Sequence, residues 1–405
     1  MNIALLGSRG IPARYSGFET FYEQLAIRLV QRGHVVTVYN RRYFMPDGPN
    51  EFQGVKIISL PSIPTKHLDT ISHCLLSSLH ALFKRYDVAY YCIVGNSPLV
   101  WIPRMVGAKV LLNVDGEDWR REKWSRFAQW YQRWCEKVAT RTATMIVADA
   151  QVIQRRYLNI YQAETVFVPY GANVCRQTST VSLQQWGLEP RQYVLYVGRF
   201  VPENSIDLLI RAFKEVRTDM KLVLVGDAPY SSEYKQALYK AAEGDPRVVF
   251  TGYAFEQVYS ELSSHAYLYV QPSAINGTRP ALLDQLGFGN CVLVRDAQVN
   301  VEVIGECGAR FAGDQPEKRL RERLQDLIND PGEVERLRQR STSRITDYYN
   351  WEWVTDFYEY LFSCLIKRGA VMSYDEFLIK RQKGDPLGTG GCPPQILSSH
   401  EGGII

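Results

Sequence analysis

Short apolar runs that do not alternate with polar residues recur along this 405-residue chain, and most lead into a helical pattern. Strands of that kind are buried on both faces, so they belong to a parallel sheet covered by helices on each side. The first run, "NIALLG", leads into a helix around Glu19–Arg32, with Phe18, Phe21, Tyr22, Leu25 and Leu29 on one face. Gly33 ends that helix, and "HVVTVYN" is the second strand. "VKIISL", "VAYYCIV", "KVLLNVD", "TMIVAD" and "TVFVPYG" continue the series.

The rhythm then breaks. Residues 171–192 show no clear period and several turn formers, which predicts a linker. It restarts with "YVLYVGR", "KLVLVGD", "RVVFTGY", "AYLYVQP" and "CVLVRD", the first three preceding helices at Ser205–Val216, Ser232–Glu243 and Phe255–Ser264. Two successive arrays of this kind predict an α/β fold of two doubly wound, Rossmann-like domains facing each other across a cleft. The expected division is 1–172, then 190–350, then a helix over 351–366 crossing back to the first domain. From 369 to 405 the chain turns polar and glycine-rich, as in "GDPLGTGGCPPQ", and is expected to be a disordered tail.

A net charge of +4 is too small for a dedicated nucleic-acid binder but compatible with contact to an anionic membrane surface. The eight cysteines contain no C-x-x-C pair and the histidines no H-E-x-x-H spacing, which points to a reduced, cytoplasmic chain without structural zinc. No apolar run is long enough to cross a membrane as a helix, so a lipid acceptor would be met from the inner face.

Ligands of open α/β sheets bind beyond the carboxyl ends of the strands, which directs attention to four loops. "GSRGIPARYSGFETF" after the first strand has Gly7, Gly10 and Gly17 but does not read G-x-G-x-x-G, which counts against a dinucleotide enzyme. "NVDGEDW" clusters Asp115, Glu117 and Asp118. A hard cation could use such oxygens, but acidic clusters at loop starts are more often solvated or cap the next helix. Asp115 is therefore read as orienting an acceptor hydroxyl. In "YVGRFVPEN", Arg199 stands at a strand end where a guanidinium could hold a phosphate with two parallel donors, the bland alternative being a surface ion pair. In "PSAINGTRPALLDQLGFGN", Thr278 reads as an N-cap, with Arg279 and Pro280 in the first turn, so the free amides there form an anion site. Asp284 could accept from a sugar hydroxyl.

These residues, in this order, resemble the two-domain glycosyltransferases of the GT-B fold, in particular glycosyltransferase family 4. That family places an arginine after "VG", a lysine five positions on, and two glutamates separated by seven residues. Here Arg199 matches, Asn204 stands in the lysine position, and Asn276 and Asp284 replace the glutamates. "GSRGIPARYSGFETFYEQLA", "GNSPLVWIPRMVGAKVLLNVDGEDW" and "VGRFVPEN" look like the bacterial rhamnosyltransferase branch of polysaccharide synthesis, where similar departures occur. The resemblance implies a retaining, metal-independent transferase that needs no cofactor and uses a nucleotide sugar such as dTDP-L-rhamnose. Its acceptor would be a lipid-linked saccharide, reached by peripheral membrane contact. It implies Arg199, Asp115 and Asn276 as catalytic residues. Gly17, Phe18, Arg199, Asn204, Tyr253, Gly277, Thr278, Arg279 and Asp284 would hold the donor, and Asp69, Asp115 and Glu117 would face the acceptor. A nucleotide-sugar 2-epimerase and a binding subunit without catalysis remain as alternatives.

Overall fold

The structure, a computed structural model, describes residues 1–13, 17–65, 68–114, 116, 119, 125–228, 232–275 and 277–385. Asp115, Glu117, Asp118 and Asn276 lie outside the described residues. The chain forms two compact units, Met1–Tyr170 with Trp351–Ile405, and Gly171–Asn350.

In the first unit the apolar runs become β1 (Asn2–Leu6), β2 (Val35–Arg41), β3 (Glu51–Phe52), β4 (Val55–Leu60), β5 (Val88–Tyr91), β6 (Lys109–Val114), β7 (Met145–Ala148) and β8 (Val166–Phe167). Their order across the sheet is β3-β4-β2-β1-β5-β6-β7-β8. Every pairing is parallel except β3 with β4, which is antiparallel and was not expected from the pattern. Ile3, Ala4, Leu5 and Leu6 of β1 are fully buried, as a central strand covered on both faces requires. The helices between these strands include α1 (Gly17–Gln31), α2 (Asp69–Ala81), α3 (Arg126–Thr142) and α4 (Gln151–Tyr161).

The second unit holds β9 (Tyr193–Val197), β10 (Lys221–Val225), β11 (Val248–Gly252), β12 (Leu268–Gln271), β13 (Cys291–Arg295) and β14 (Ala309–Phe311) in the order β11-β10-β9-β12-β13-β14. All the pairings are parallel. Its helices are α5 (Ile206–Lys214), α6 (Ser232–Ala242), α7 (Glu256–Ser264), α8 (Pro280–Gly287), α9 (Gln298–Ile304), α10 (Pro316–Asn329) and α11 (Pro331–Arg344). One core runs from Val194 and Leu222 in the sheet to Leu209 and Phe213 of α5 and Leu320 and Leu324 of α10. Both units are Rossmann-like α/β layers.

Three expectations need correction. The stretch 171–192 is not a bare linker. It contains a 3₁₀ turn at Val181–Trp186 that packs on α7, where the Ser182 amide donates to Glu261 Oε2 at 2.7 Å. The helix expected from Ser205 starts at Ile206, because Ser205 takes a left-handed conformation with φ of 53°. The expected tail from 369 instead carries α13 (Tyr374–Lys383), capped by the Ser373 hydroxyl on the Glu376 amide. Tyr374, Phe377 and Leu378 of α13 are buried, and the Phe377 ring lies 4.9 Å from that of Phe357. Three apolar residues in a polar stretch are enough to seat one short helix.

Phe357 belongs to α12 (Trp351–Lys367), a further helix of the first unit, whose aromatic face covers α1. The Trp351 and Phe21 rings are 5.9 Å apart, and the Tyr358 and Tyr90 hydroxyls are 2.9 Å apart. Arg32 on α1 reaches Asp356 and Glu352 at 2.6 and 2.9 Å.

Candidate functional site

The direction of chain progression across the second sheet reverses at β9 and β12, which are neighbours although β10 and β11 intervene in sequence. Loops that leave two such strands diverge and open a crevice at their carboxyl ends. Arg199 and Asn204 follow β9, while Ser273, Gly277, Thr278 and Arg279 follow β12, so the topology gathers them at one place.

The backbone there is close-packed. Gly226, at the end of β10, has φ of 139°, and a Cβ at this position would fall 2.0 Å from the Gly198 carbonyl oxygen. Only glycine allows β10 to approach the turn after β9 this closely. That turn then folds back on itself through Asn204 and Ser205 amides bonded to the Val201 and Pro202 carbonyls at 2.9 Å each.

Asn204 is the hub of the site. Its side-chain nitrogen donates to the Arg199 carbonyl at 2.7 Å, and its oxygen accepts from Arg279 Nη1 at 2.7 Å. The second terminal nitrogen of Arg279 donates to the Ser273 hydroxyl. Ser273 in turn donates to the Glu203 carbonyl at 2.7 Å, and its own carbonyl accepts from the Asn300 amide of α9 at 3.0 Å. Asn204 and Ser273 are buried, so these bonds are shielded from competing water. The Tyr196 hydroxyl completes the group. Burial pushes its pKa above the ordinary phenolic range, while the positive charge of Arg279, the Asn204 bond and the charge of Arg199 oppose that rise. Both guanidiniums thus act on the same hydroxyl.

The α8 start differs from expectation. Thr278 is not the N-cap; Arg279 is, with φ of −109° and ψ of 107°. Pro280 at the first helical position forces its predecessor out of the helical region, which moves the cap one residue along the chain. The Arg279 side chain makes no cap bond and is directed to Asn204 and Ser273 instead.

Asp284 lies one turn into α8 and accepts from the Tyr259 hydroxyl at 3.1 Å. Burial pushes its carboxyl up to about 6, against the Tyr259 bond, which lowers it. Tyr253 follows β11 with its ring 44% exposed and stacked on Phe255 at 5.8 Å. In the first unit, Gly17 and Phe18 open α1, and the Phe18 ring meets Tyr170 edge-on at 6.4 Å. Asp69 Oδ2 is 2.6 Å from Arg41 Nη1, and Arg41 Nη2 donates to the Gly7 carbonyl at 3.0 Å.

The structure therefore brings Arg199, Asn204 and Arg279 together in one bonded group, with Gly277 and Thr278 on the same loop. Asp284 is on the helix that follows, Tyr253 stands at the end of a strand farther along the sheet, and Asp69, Gly17 and Phe18 belong to the other unit. Ser273, Tyr196 and Tyr259 were missed. Ser273 had a readable signal, as a small hydroxyl residue directly after a buried strand and six positions before Arg279. The two tyrosines had none, since each looks like an ordinary core residue.

Residues 191–330 match the family described as Glycosyl transferases group 1, and residues 100–173 match a domain of unknown function, DUF1972. An uncharacterized glycosyltransferase of Bacillus subtilis is 23% identical over 196 residues, 47% of this chain and 53% of its own length. A lipopolysaccharide 1,2-N-acetylglucosaminetransferase of Salmonella typhimurium is 26% identical over 185 residues, 42% of this chain and 48% of its own. The chain thus spans about half the length of the curated relatives it matches. Among solved structures, a sucrose-phosphate synthase from Thermosynechococcus elongatus superposes with a TM-score of 0.77 at 19% identity, over 91% of this chain and 100% of that one. The Anabaena protein HepE in complex with UDP and glucose gives 0.74 at 16% identity, over 90% and 99%. The chain has the GT-B fold, and its residues 191–330 match the model of the glycosyl transferases group 1 family.

Proposed function

We propose that this protein is a glycosyltransferase whose second unit takes the diphosphate of a nucleotide sugar at the β9/β12 switch point. The observation that carries this reading is that Asn204 bonds both the Arg199 carbonyl and the Arg279 guanidinium, and that the charges of both arginines bear on the Tyr196 hydroxyl at the same strand end. In the reaction the bond between the anomeric carbon and the diphosphate oxygen breaks, and the electron pair stays on the diphosphate. The acceptor oxygen bonds to the anomeric carbon and its proton passes to a phosphate oxygen. Guanidiniums already fixed where that negative charge develops stabilise the transition state without reorganising.

The lysine expected five positions after Arg199 is replaced functionally by Arg279. Asn204, in the lysine position, holds Arg279 in place and does not itself carry charge. Asp284 bonds the ribose of the nucleotide, and Tyr253 lies near the base. We assign a retaining, metal-independent reaction, a donor such as dTDP-L-rhamnose, and a lipid-linked saccharide acceptor by the resemblance to the rhamnosyltransferase branch. Asp69, Asp115 and Glu117 are the acceptor-side residues of this reading, and Asn276 belongs to the catalytic loop. The Salmonella relative, named as a lipopolysaccharide transferase, and HepE, solved with UDP and glucose, support a saccharide product and a nucleotide-sugar donor.

Incubation with a panel of nucleotide sugars and a lipid-linked acceptor tests the proposal. Nucleoside diphosphate released only when donor and acceptor are both present supports transfer. Release from donor alone, or none with any pair, contradicts it.

A further inference from the structure

Two helices of the first unit face the wrong way for a water-soluble surface. α2 buries His73, Cys74, Ser77, Ser78 and Ala81 against the sheet. Its Leu75, Leu76 and Leu79, and Phe83 just beyond it, are exposed, Phe83 by 83%. α3 repeats the inversion. It buries Gln132, Cys135, Glu136 and Ala139 and exposes Phe127, Trp130 and Trp134, the first two by 72% and 58%. Spacings of three and four residues put those three aromatics on one stripe. The Phe127 and Trp130 rings lie 5.8 Å apart, so the stripe is continuous.

The two helices belong to one surface. α3 and α2 both pack on the 3₁₀ turn Val94–Leu99, and α2 also packs on the turn Pro103–Val106. That second turn adds Met105, 68% exposed, and is tied to the end of α3 by Arg104 Nη1 donating to the Thr142 carbonyl at 2.6 Å. Three elements joined through these turns therefore expose apolar side chains, and exposed apolar surface of this kind on a folded protein marks an interaction site.

The charges beside the patch identify the partner. Arg126, Arg133, Lys137 and Arg141 are exposed along the same side of α3. The one acid within that helix, Glu136, is buried and held by Arg156 at 2.9 Å. Arg133 lies over the Trp119 ring at 4.1 Å, which presents a cation and an indole together. Tryptophan and phenylalanine flanked by arginine and lysine, on a helix with a polar inward face, suit a headgroup layer better than water or hydrocarbon. A second copy of this chain would set like charges against one another across an isologous contact. No helix among the described residues is long and apolar enough to cross a membrane, so this surface would lie on the bilayer.

We propose that the outer face of α2, the turn at Pro103–Val106 and α3 is a docking surface for an anionic lipid bilayer. The inference uses the first unit alone and stands whether or not the second unit transfers sugar. Phe127 and Trp130 enter the headgroup region, and the four cations meet lipid phosphates.

Sedimentation with vesicles of phosphatidylglycerol mixed with phosphatidylcholine, against phosphatidylcholine alone, tests it. The wild-type protein should pellet with the anionic vesicles and shift its tryptophan fluorescence to the blue. Phe127→Glu with Trp130→Glu should weaken partitioning by about tenfold or more. Lys137→Gln and Arg141→Gln should each cost roughly fivefold at low salt. Both positions are exposed, so the melting temperature of these variants should stay at the wild-type value, which separates lost docking from lost folding. Equal partitioning of wild type and variants overturns the proposal. So does wild type that stays in the supernatant with anionic vesicles, or a dimer in velocity sedimentation that Trp130→Glu breaks.

Discussion

The two sheets have the same kind of switch point and fill it in opposite ways. At β9/β12 the strand-end loops are partly exposed and carry two arginines, Asn204 bonding the carbonyl of Arg199 and the guanidinium of Arg279. At β1/β5 the corresponding space is occupied by the protein itself. Gly7 has φ of 96°, and a Cβ there would lie 2.8 Å from the Cys92 carbonyl and 2.9 Å from the Asn96 amide nitrogen. The Tyr22 hydroxyl sits between the Leu6 and Tyr90 carbonyls at 2.8 and 2.9 Å. Arg41, which donates to the Gly7 carbonyl, is neutralised by Asp69. Topology supplies a crevice at each sheet, and side chains decide which one can hold an anion.

The comparison can be broken at its stability end first. Arg41 is buried and paired with the Asp69 carboxylate at 2.6 Å. Asp69→Ala should destabilise the protein by about 3–5 kcal/mol in denaturant unfolding, because it strands a buried charge. The same variant should bind nucleoside diphosphate as wild type does. A stable variant, or one with impaired nucleotide binding, would mean that Arg41 and Asp69 are not the closed pair described above.

At the other switch point the effect should appear in catalysis. Arg199→Ala should lower kcat/KM by about 2–4 kcal/mol with little change in melting temperature. A tenfold or smaller loss would remove Arg199 from the diphosphate.

The smallest effect concerns Asp284. Its carboxyl titrates near 6 in the folded protein, against about 3.9 in an unfolded chain. Between those values the native state keeps a proton that the unfolded state has released, so stability falls as the pH rises through this window. Asp284→Asn abolishes that fall. Thermal melts should show the variant more stable than wild type above pH ~6, by about 3 kcal/mol at most, with the difference vanishing below pH ~4. A difference that grows as the pH drops would contradict the assigned environment of Asp284.

Most strands were legible in the chain because their burial needs nothing but an apolar run. "VKIISL" became β4 residue for residue, and Arg199 and Asn204 were readable as the residues that must follow β9. The link between Asn204 and Arg279 was not, since 75 residues separate them and only the β9/β12 adjacency makes them neighbours. Asn204 therefore looked like a missing cation when it is a holder of one. β3 and β14 were missed because two or three residues carry no period. α2 and α3 were missed for a different reason. Their buried residues are polar or small and their apolar residues point outward, so the usual reading of an amphipathic helix has its two faces exchanged. α13 escaped notice because its sequence is charged overall and only Tyr374, Phe377 and Leu378 anchor it.

The central claim is that Arg199 and Arg279, joined through Asn204, hold one diphosphate at the β9/β12 switch point. Calorimetric titration of the full chain with thymidine or uridine diphosphate, and with the matching nucleoside, tests it most directly. Wild type should bind the diphosphate about a hundredfold more tightly than the nucleoside, and the combined Arg199→Ala, Arg279→Ala variant should bind the two alike. A variant that folds as wild type does and keeps the preference for the diphosphate would contradict the claim.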